Sequence, residues 1–263
     1  EKGSPLVFYS YEMQEKLEEK LCDDYQVFVA MRYGNPDYRK ELQKIKNGRF
    51  EKLIVFPLYP QHAMSTTETS VEAVKAEIKK QKIDIKMEVV DQFYDNPKFI
   101  EAFAAQARKY DLSKFDHVIF SFHGLPNRHL EKTHPGIKVQ QCNCENAIPE
   151  YGTHCYRATC FATTRLLAGE LGLKKDDYSV AFQSRLSRNW MAPFTDEILL
   201  EKLKEGKTKI MVIPAAFVTD CLETIVEIGD EYREMFLEAG GEELQLVESL
   251  NAEPLWIDAM HSI

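Results

Sequence analysis

Four of the chain's six cysteines crowd into Cys142-x-Cys144, ten residues, Cys155, four residues and Cys160. Four thiolates this close can converge on one metal centre, and soft sulfur suits Zn²⁺ or an iron–sulfur cluster. The pattern lacks the paired C-x2-C of a zinc ribbon, so spacing leaves structural zinc and a 2Fe–2S cluster level. Cys22 and Cys221 stand alone. In a reducing compartment such clustering favours metal over disulfides.

A second kind of chemistry lies in Ser121-Phe122-His123-Gly124-Leu125-Pro126, where a histidine closes an apolar run and Gly and Pro stop it abruptly. A neutral imidazole there can take a proton or give a lone pair to a metal. A third is the carboxylate series Asp220, Glu223, Glu227 and Glu231, whose last three members recur every fourth residue. On an α-helix these form one stripe, and like-charge repulsion along it is relieved by cations or protons. A solvated face is the plainer reading of such a run; its place directly after a strand-end loop makes it a candidate. Arg32 beside Tyr33 offers charge-assisted hydrogen bonds to a carboxylate. Trp190, Phe217, Tyr59 and Tyr33 supply faces on which a flat ligand could stack.

Positioning these groups requires strands and helices in alternation. Tyr25 to Met31, Lys52 to Leu58, Ile85 to Val90, His117 to Phe122, Tyr178 to Gln183, Lys209 to Ile213 and Glu243 to Val247 read as strands. Between them Pro36 to Lys46, Ser65 to Lys80 with a Ser65-x-x-Glu68 capping box, Pro97 to Tyr110, Cys155 to Leu171, Thr195 to Lys204 and Cys221 to Glu238 read as helices. Such alternation predicts an α/β fold of parallel sheets covered by helices, in two Rossmann-like halves. The turn-forming Tyr110 to Lys114 divides residues 1–112 from 113–249, the second half carrying the cysteine insert 140–160. Residues 250–263 are expected to form a helix packing back on the first half. Ligands of open α/β sheets gather at the carboxyl ends of strands, which places the site in the cleft between the halves.

Composition narrows the function. The 263 residues carry 33 Lys and Arg against 42 Asp and Glu, a formal charge of −9, with 44% hydrophobic residues. That is an ordinary globular balance without a basic footprint for nucleic acid. The longest apolar stretch, Ile210 to Val218, falls far short of the roughly 20 residues that cross a bilayer. No basic segment followed by an apolar core opens the chain, so a cytoplasmic location is expected.

Taken in order, Tyr59-Pro60-Gln61, Ser121 to Pro126, Phe182-Gln183-Ser184-Arg185 followed by Trp190, and Phe217-Val218-Thr219-Asp220-Cys221-Leu222-Glu223-Thr224 closely resemble the ferrochelatases. The match runs from Gly3-Ser4-Pro5-Leu6 to Ser249-Leu250-Asn251. The resemblance implies a class II chelatase-like fold and insertion of Fe²⁺ into protoporphyrin IX with release of two protons, the last step of haem synthesis. It implies that His123 and Glu223 are the catalytic pair that meets the substrate iron, and that Asp220, Glu227 and Glu231 belong to an acidic path for iron or protons. Arg32, Tyr33, Tyr59, Ser184, Trp190 and Phe217 match porphyrin-binding positions. The insert resembles that of ferrochelatases with an internal 2Fe–2S cluster, which favours Cys142, Cys144, Cys155 and Cys160 as its ligands over a zinc site. Cys221 stands where many members have histidine. The family's opening Asn-Leu-Gly-Thr-Pro segment has no counterpart before Gly3, so a fragment is expected. Peripheral membrane contact is compatible with so greasy a substrate, and the sequence leaves the oligomeric state open.

Overall fold

The computed structural model describes residues 3–133 and 136–263; Glu1 and Lys2, with which the expected first half begins, lie outside them. The first half contains α1 (Pro5–Leu21), α2 (Tyr38–Asn47), β1 (Lys52–Val55), α3 (Thr69–Gln81), β2 (Lys86–Val89) and α4 (Pro97–Ala107). The second contains β3 (His117–His123), α5 (Asn127–Thr133), α6 (Tyr156–Glu170), β4 (Tyr178–Gln183), α7 (Thr195–Lys204), β5 (Lys209–Ile213), α8 (Leu222–Ile225), α9 (Arg233–Glu238) and β6 (Glu243–Leu246), followed by α10 (Pro254–Ser262). The described strands form two parallel sheets, β1-β2 and β4-β3-β5-β6. The α/β architecture is the expected one.

Three expectations are corrected. Tyr25 to Met31 is extended but forms no strand among the described residues; only Met31 makes an isolated bridge, to Asp37. Its backbone is served by α1 instead. The Val27 N–H donates to Glu18 at 2.8 Å, and Gln14 donates to the Val27 carbonyl at 2.8 Å, which satisfies the peptide without a ladder. The Ser65 capping box does not form: residues Met64–Glu68 make a π turn capped by Ala63, whose carbonyl accepts from the Glu68 N–H five residues on. The expected single helix Cys221 to Glu238 is interrupted by a second π turn, Glu227–Tyr232, between α8 and α9.

Strand β3 is the axis of the larger sheet. Its residues alternate strictly, as the period of two requires. Val118, Phe120 and Phe122 enter the core shared with α4, α6 and α10, while Ile119 joins the core under α7 and α9. Ser121 lies on the Ile119 face, hydrogen-bonded to Thr195 at the start of α7.

Helix α10 closes the larger core by packing on α4 and α1. Pro254 at its first position removes an N–H that would have no partner there. Trp256 is fully buried, stacked on Phe93 at 5.6 Å and edge-on to Phe99 at 6.0 Å, with its indole N–H donating to the Met13 sulfur at 3.2 Å. Among the described residues no helix is long and apolar enough to cross a membrane. Because Trp256 links three helices across the core, Trp256→Ala should cost roughly 3–5 kcal/mol of stability in denaturant unfolding. A loss under about 1 kcal/mol would show that α10 is not tied in this way.

Candidate functional site

Strand β5 ends at Ile213, opposite Phe120, because Pro214 cannot continue a ladder. Strand β3 runs on to His123, paired on its other side with β4 as far as Gln183. The last three residues of β3 therefore have one uncovered edge, beside which the loop from Pro214 passes. His123 sits at that edge with its ring 6.3 Å from Phe217 on the loop and 6.3 Å from Trp190. The chain turns away at once through Gly124. The Gly124 N–H donates to the Gln183 carbonyl at 2.8 Å, and a Cβ at Gly124 would meet that same oxygen at 3.0 Å. Only a residue without a side chain fits the approach.

The tautomer of His123 follows from its partner. Nδ1 lies 2.7 Å from the Gly124 carbonyl oxygen, and since a carbonyl only accepts, Nδ1 carries the proton. Nε2 is left with its lone pair, available to a proton or a metal ion. The main chain is braced as well: the Tyr156 hydroxyl donates to the His123 carbonyl at 2.9 Å.

Glu223 reaches the same end of the sheet. Its peptide carbonyl accepts from the Gln183 side chain at 2.7 Å, and Gln183 is the register partner of His123. Glu223 is half-buried in the first turn of α8. The adjacent Cys221 thiol is pushed up to about 12, by burial first and then by the Glu223 carboxylate it hydrogen-bonds. It stays a neutral thiol beside a charged neighbour.

The other acidic residues do not continue a stripe. In the π turn the Glu231 N–H donates to the Val226 carbonyl, five residues back, which rotates successive side chains off the α-helical face. Asp220 is buried and accepts from the Ser249 N–H, the Asn251 amide and the Thr224 hydroxyl. Glu227 turns inward. It accepts from the Ser184 N–H at 2.7 Å, the Ser184 hydroxyl at 2.5 Å, Gln183 at 3.0 Å and the Tyr232 hydroxyl at 2.7 Å. Glu231 is exposed.

Arg32, Tyr33 and Tyr59 gather on the first half. The Arg32 guanidinium lies over the Tyr33 ring at 4.8 Å, and its Nε is buried without a hydrogen-bond partner. Tyr33 is 81% exposed. Burial raises the Tyr59 phenol above its ordinary value, against a lowering hydrogen bond from Ser70. Ser184 holds a left-handed backbone, φ 60°, with its hydroxyl committed to Glu227.

The four clustered cysteines are all buried. Cys144 hydrogen-bonds both Cys142 and Cys155, and the Arg157 guanidinium donates to the Cys144 sulfur at 2.9 Å. Cys155 caps α6; the hydrogen bond from Cys144 first, then the N–H groups of Ala158 and Arg157, bring its thiol down to about 7 against burial. A helix N-terminus favours a thiolate at Cys155, whereas the hydrogen bond with Cys155 and burial hold the Cys144 thiol far above its ordinary value in spite of Arg157. Cys160, one turn along α6, is fully buried, and desolvation holds its thiol well above the ordinary value. Among the described residues no group of three or more His, Cys, Asp or Glu is already set around one metal position.

The family model described as ferrochelatase matches residues 1–263. A ferrochelatase of Pseudomonas fluorescens biotype C is 41% identical over 266 residues, covering 100% of this chain and 78% of that protein. A ferrochelatase of Coxiella burnetii (strain CbuG_Q212) is 41% identical over 264 residues, covering 98% and 73%. Among solved structures, SirB from Bacillus subtilis with Fe³⁺ superposes with a TM-score of 0.63 at 13% identity, over 99% of this chain and 90% of that one. The sirohydrochlorin chelatase SirB from Bacillus subtilis subspecies spizizenii, in complex with cobalt, gives 0.61 at 11%, over 96% and 85%. These two show a shared α/β fold.

The tautomer assignment is open to direct measurement. Long-range ¹⁵N–¹H spectra of the histidine rings at pH 8 should place the His123 proton on Nδ1. A proton on Nε2 would remove the free lone pair on which the site's chemistry rests.

Proposed function

The chain belongs to the ferrochelatase family and inserts ferrous iron into a porphyrin; on that premise we propose how its residues divide the work, with protoporphyrin IX as the substrate. The observation that carries the reading is the His123 Nδ1 contact with the Gly124 carbonyl at the open tip of β3, which in the neutral ring leaves the lone pair on Nε2, while Glu223 is tethered to the same tip through Gln183. Metallation replaces two pyrrole protons by one Fe²⁺, so the macrocycle core needs an acceptor for protons and an oxygen ligand that releases iron easily. His123 Nε2 takes one pyrrole proton, its imidazolium stabilised by the Gly124 carbonyl on Nδ1, and the Glu223 carboxylate takes the second as it gives up the metal. Glu223 presents carboxylate oxygens to the metal, and the neutral Cys221 thiol beside it adds no competing charge.

Arg32 holds a propionate, its unpartnered guanidinium edge being the donor a carboxylate requires, with Tyr33 and Tyr59 alongside. Trp190 and Phe217, which flank the His123 ring, support the macrocycle faces. Ser184 shapes the pocket wall, and Asp220, Glu227 and Glu231 form the acidic side behind Glu223, read as a path for protons and not for iron. Cys142, Cys144, Cys155 and Cys160 hold a 2Fe–2S cluster, a reading supported by the Cys144 thiol bridging Cys142 and Cys155, with Arg157 on Cys144 and the start of α6 at Cys155. Such a cluster would clamp the insert on α6; metallation itself transfers no electron. The enzyme works in the cytoplasm, with peripheral membrane contact where its greasy substrate arrives.

Anaerobic incubation of the protein with Fe²⁺ and protoporphyrin IX should produce the haem absorption spectrum. His123→Ala should lower the rate by on the order of 10²–10⁴, the range of a positioned proton acceptor. An unchanged rate in that variant defeats the assignment. Anaerobically purified protein should be brown and carry about two irons per chain, and Cys155→Ser should abolish both. Colourless protein holding one zinc would replace the cluster by a structural zinc site.

A further inference from the structure

Gln183 is a residue to which the sequence reading assigns no role, yet each of its described polar contacts belongs to the metal site. It is 1% exposed. Its backbone carbonyl accepts the Gly124 N–H at 2.8 Å, directly after His123. Its side-chain oxygen accepts the Ser121 hydroxyl at 2.7 Å, two residues before His123 on the same face of β3. Its side-chain nitrogen donates to the Glu223 carbonyl at 2.7 Å and to the Glu227 carboxylate at 3.0 Å. The amide orientation is forced, because the opposite one would set its oxygen against two acceptors.

Glu227 fixes the far end of this bridge. A carboxylate offers about four acceptor sites, and the Ser184 N–H, the Ser184 hydroxyl, Gln183 and the Tyr232 hydroxyl supply four donors. Nothing is left over for a passing cation without breaking one of these four part-buried hydrogen bonds. Burial, followed by the bond to Glu227, keeps the Tyr232 phenol protonated, far above its ordinary value, so that donor stays in place.

The geometry points to Gln183 as the positioning residue that sets the separation between His123 Nε2 and the Glu223 carboxylate, with Glu227 as its anchor and not as a carrier of iron. This rests on the reading that His123 and Glu223 flank the porphyrin core. The strand and the start of α8 meet at Gln183 through one side chain of fixed length. Methionine keeps its volume and loses both donors; glutamate would place an anion against Glu227; asparagine is one methylene too short. A misplacement of the reacting groups by about 1 Å can cost on the order of 10²-fold in rate.

The test uses the full chain under anaerobic conditions, with Fe²⁺ and protoporphyrin IX varied separately and porphyrin binding followed by fluorescence quenching. Gln183→Met should lower kcat by roughly 10–100-fold and leave porphyrin KM and Kd within about twofold. Glu227→Gln, which leaves the Gln183 amide in place but weakens its anchor, should lower kcat in the same sense by a smaller factor. The double variant should be no slower than Gln183→Met alone, since both act through one bridge. A relay role for Glu227 predicts instead a raised KM for iron and multiplicative losses, and that result overturns the proposal. So does a Gln183→Met kcat within twofold of the parent, or a loss carried mainly by porphyrin KM. If Gln183→Met does not fold, Glu227→Gln decides alone by the same split between kcat and iron KM. Should His123→Ala and Glu223→Gln both keep the parent rate, the catalytic reading falls; if they are inactive and Gln183→Met is not impaired, the positioning role alone falls.

Discussion

The site exists because two neighbouring strands are of unequal length. Strand β3 is paired with β4 to its last residue and with β5 only as far as Phe120. A fully covered edge would bury the tip of β3 as thoroughly as its middle, where Ile119, Phe120 and Phe122 have no exposure. The overhang leaves His123 supported on one side and open on the other. Pro214 causes it cheaply, by withholding the N–H that would have extended the ladder. The loop released by this stop passes beside the open edge, so Phe217 lies next to the histidine and Glu223 reaches the same strand end through Gln183, both from one segment.

Carboxylates placed beside a metal site repel one another unless each is given separate work. Here the fold separates them. Asp220 is spent on the Ser249 and Asn251 loop that precedes α10, and Glu227 on the Gln183–Ser184 corner. The Glu223 carboxylate enters neither network, and the neighbour it perturbs is the neutral Cys221 thiol. The π turn makes the division possible. An unbroken α-helix would have stacked Glu223, Glu227 and Glu231 on one face, whereas one extra residue in the turn directs Glu227 inward and Glu231 to solvent.

Much of this was legible in the sequence, and the exceptions have local causes. The apolar runs of β3 and β5 are buried on both faces and read clearly, as does β4, buried in its second half, and the abrupt Gly124-Leu125-Pro126 stop marks His123. Helix α1 went unread because its apolar face is thin, only Ser10 and Met13 being buried. Tyr25 to Met31 has strand composition, but hydrogen bonds from Gln14 and Glu18 decide its fate, and no local pattern reveals a partner across a loop. The break in the acidic helix depends on where Glu227 finds donors, Ser184 and Gln183 lying more than forty residues earlier. Fourfold spacing in sequence carries no information about that. Gln183 was overlooked for the same reason: a glutamine at a strand end is unremarkable until its four contacts are known.

The cysteine insert and His123 are joined by a short path through α6. Cys155 caps that helix, and the next residue, Tyr156, donates its hydroxyl to the His123 carbonyl. Arg157, one further, donates to the Cys144 sulfur and lies over the Phe161 ring at 4.8 Å. Consecutive residues in the first turn of a helix point in different directions, so Tyr156 can brace the end of β3 while its neighbours on either side hold the thiols. The consequence is mechanical. Whatever fixes Cys144 and Cys155 also fixes the start of α6, and with it the hydroxyl that holds the backbone of His123. A buried hydrogen bond of this kind is worth about 1 kcal/mol net but costs more when one partner is left unsatisfied. Order in the insert is therefore order at the histidine, without any exchange of electrons between the two places.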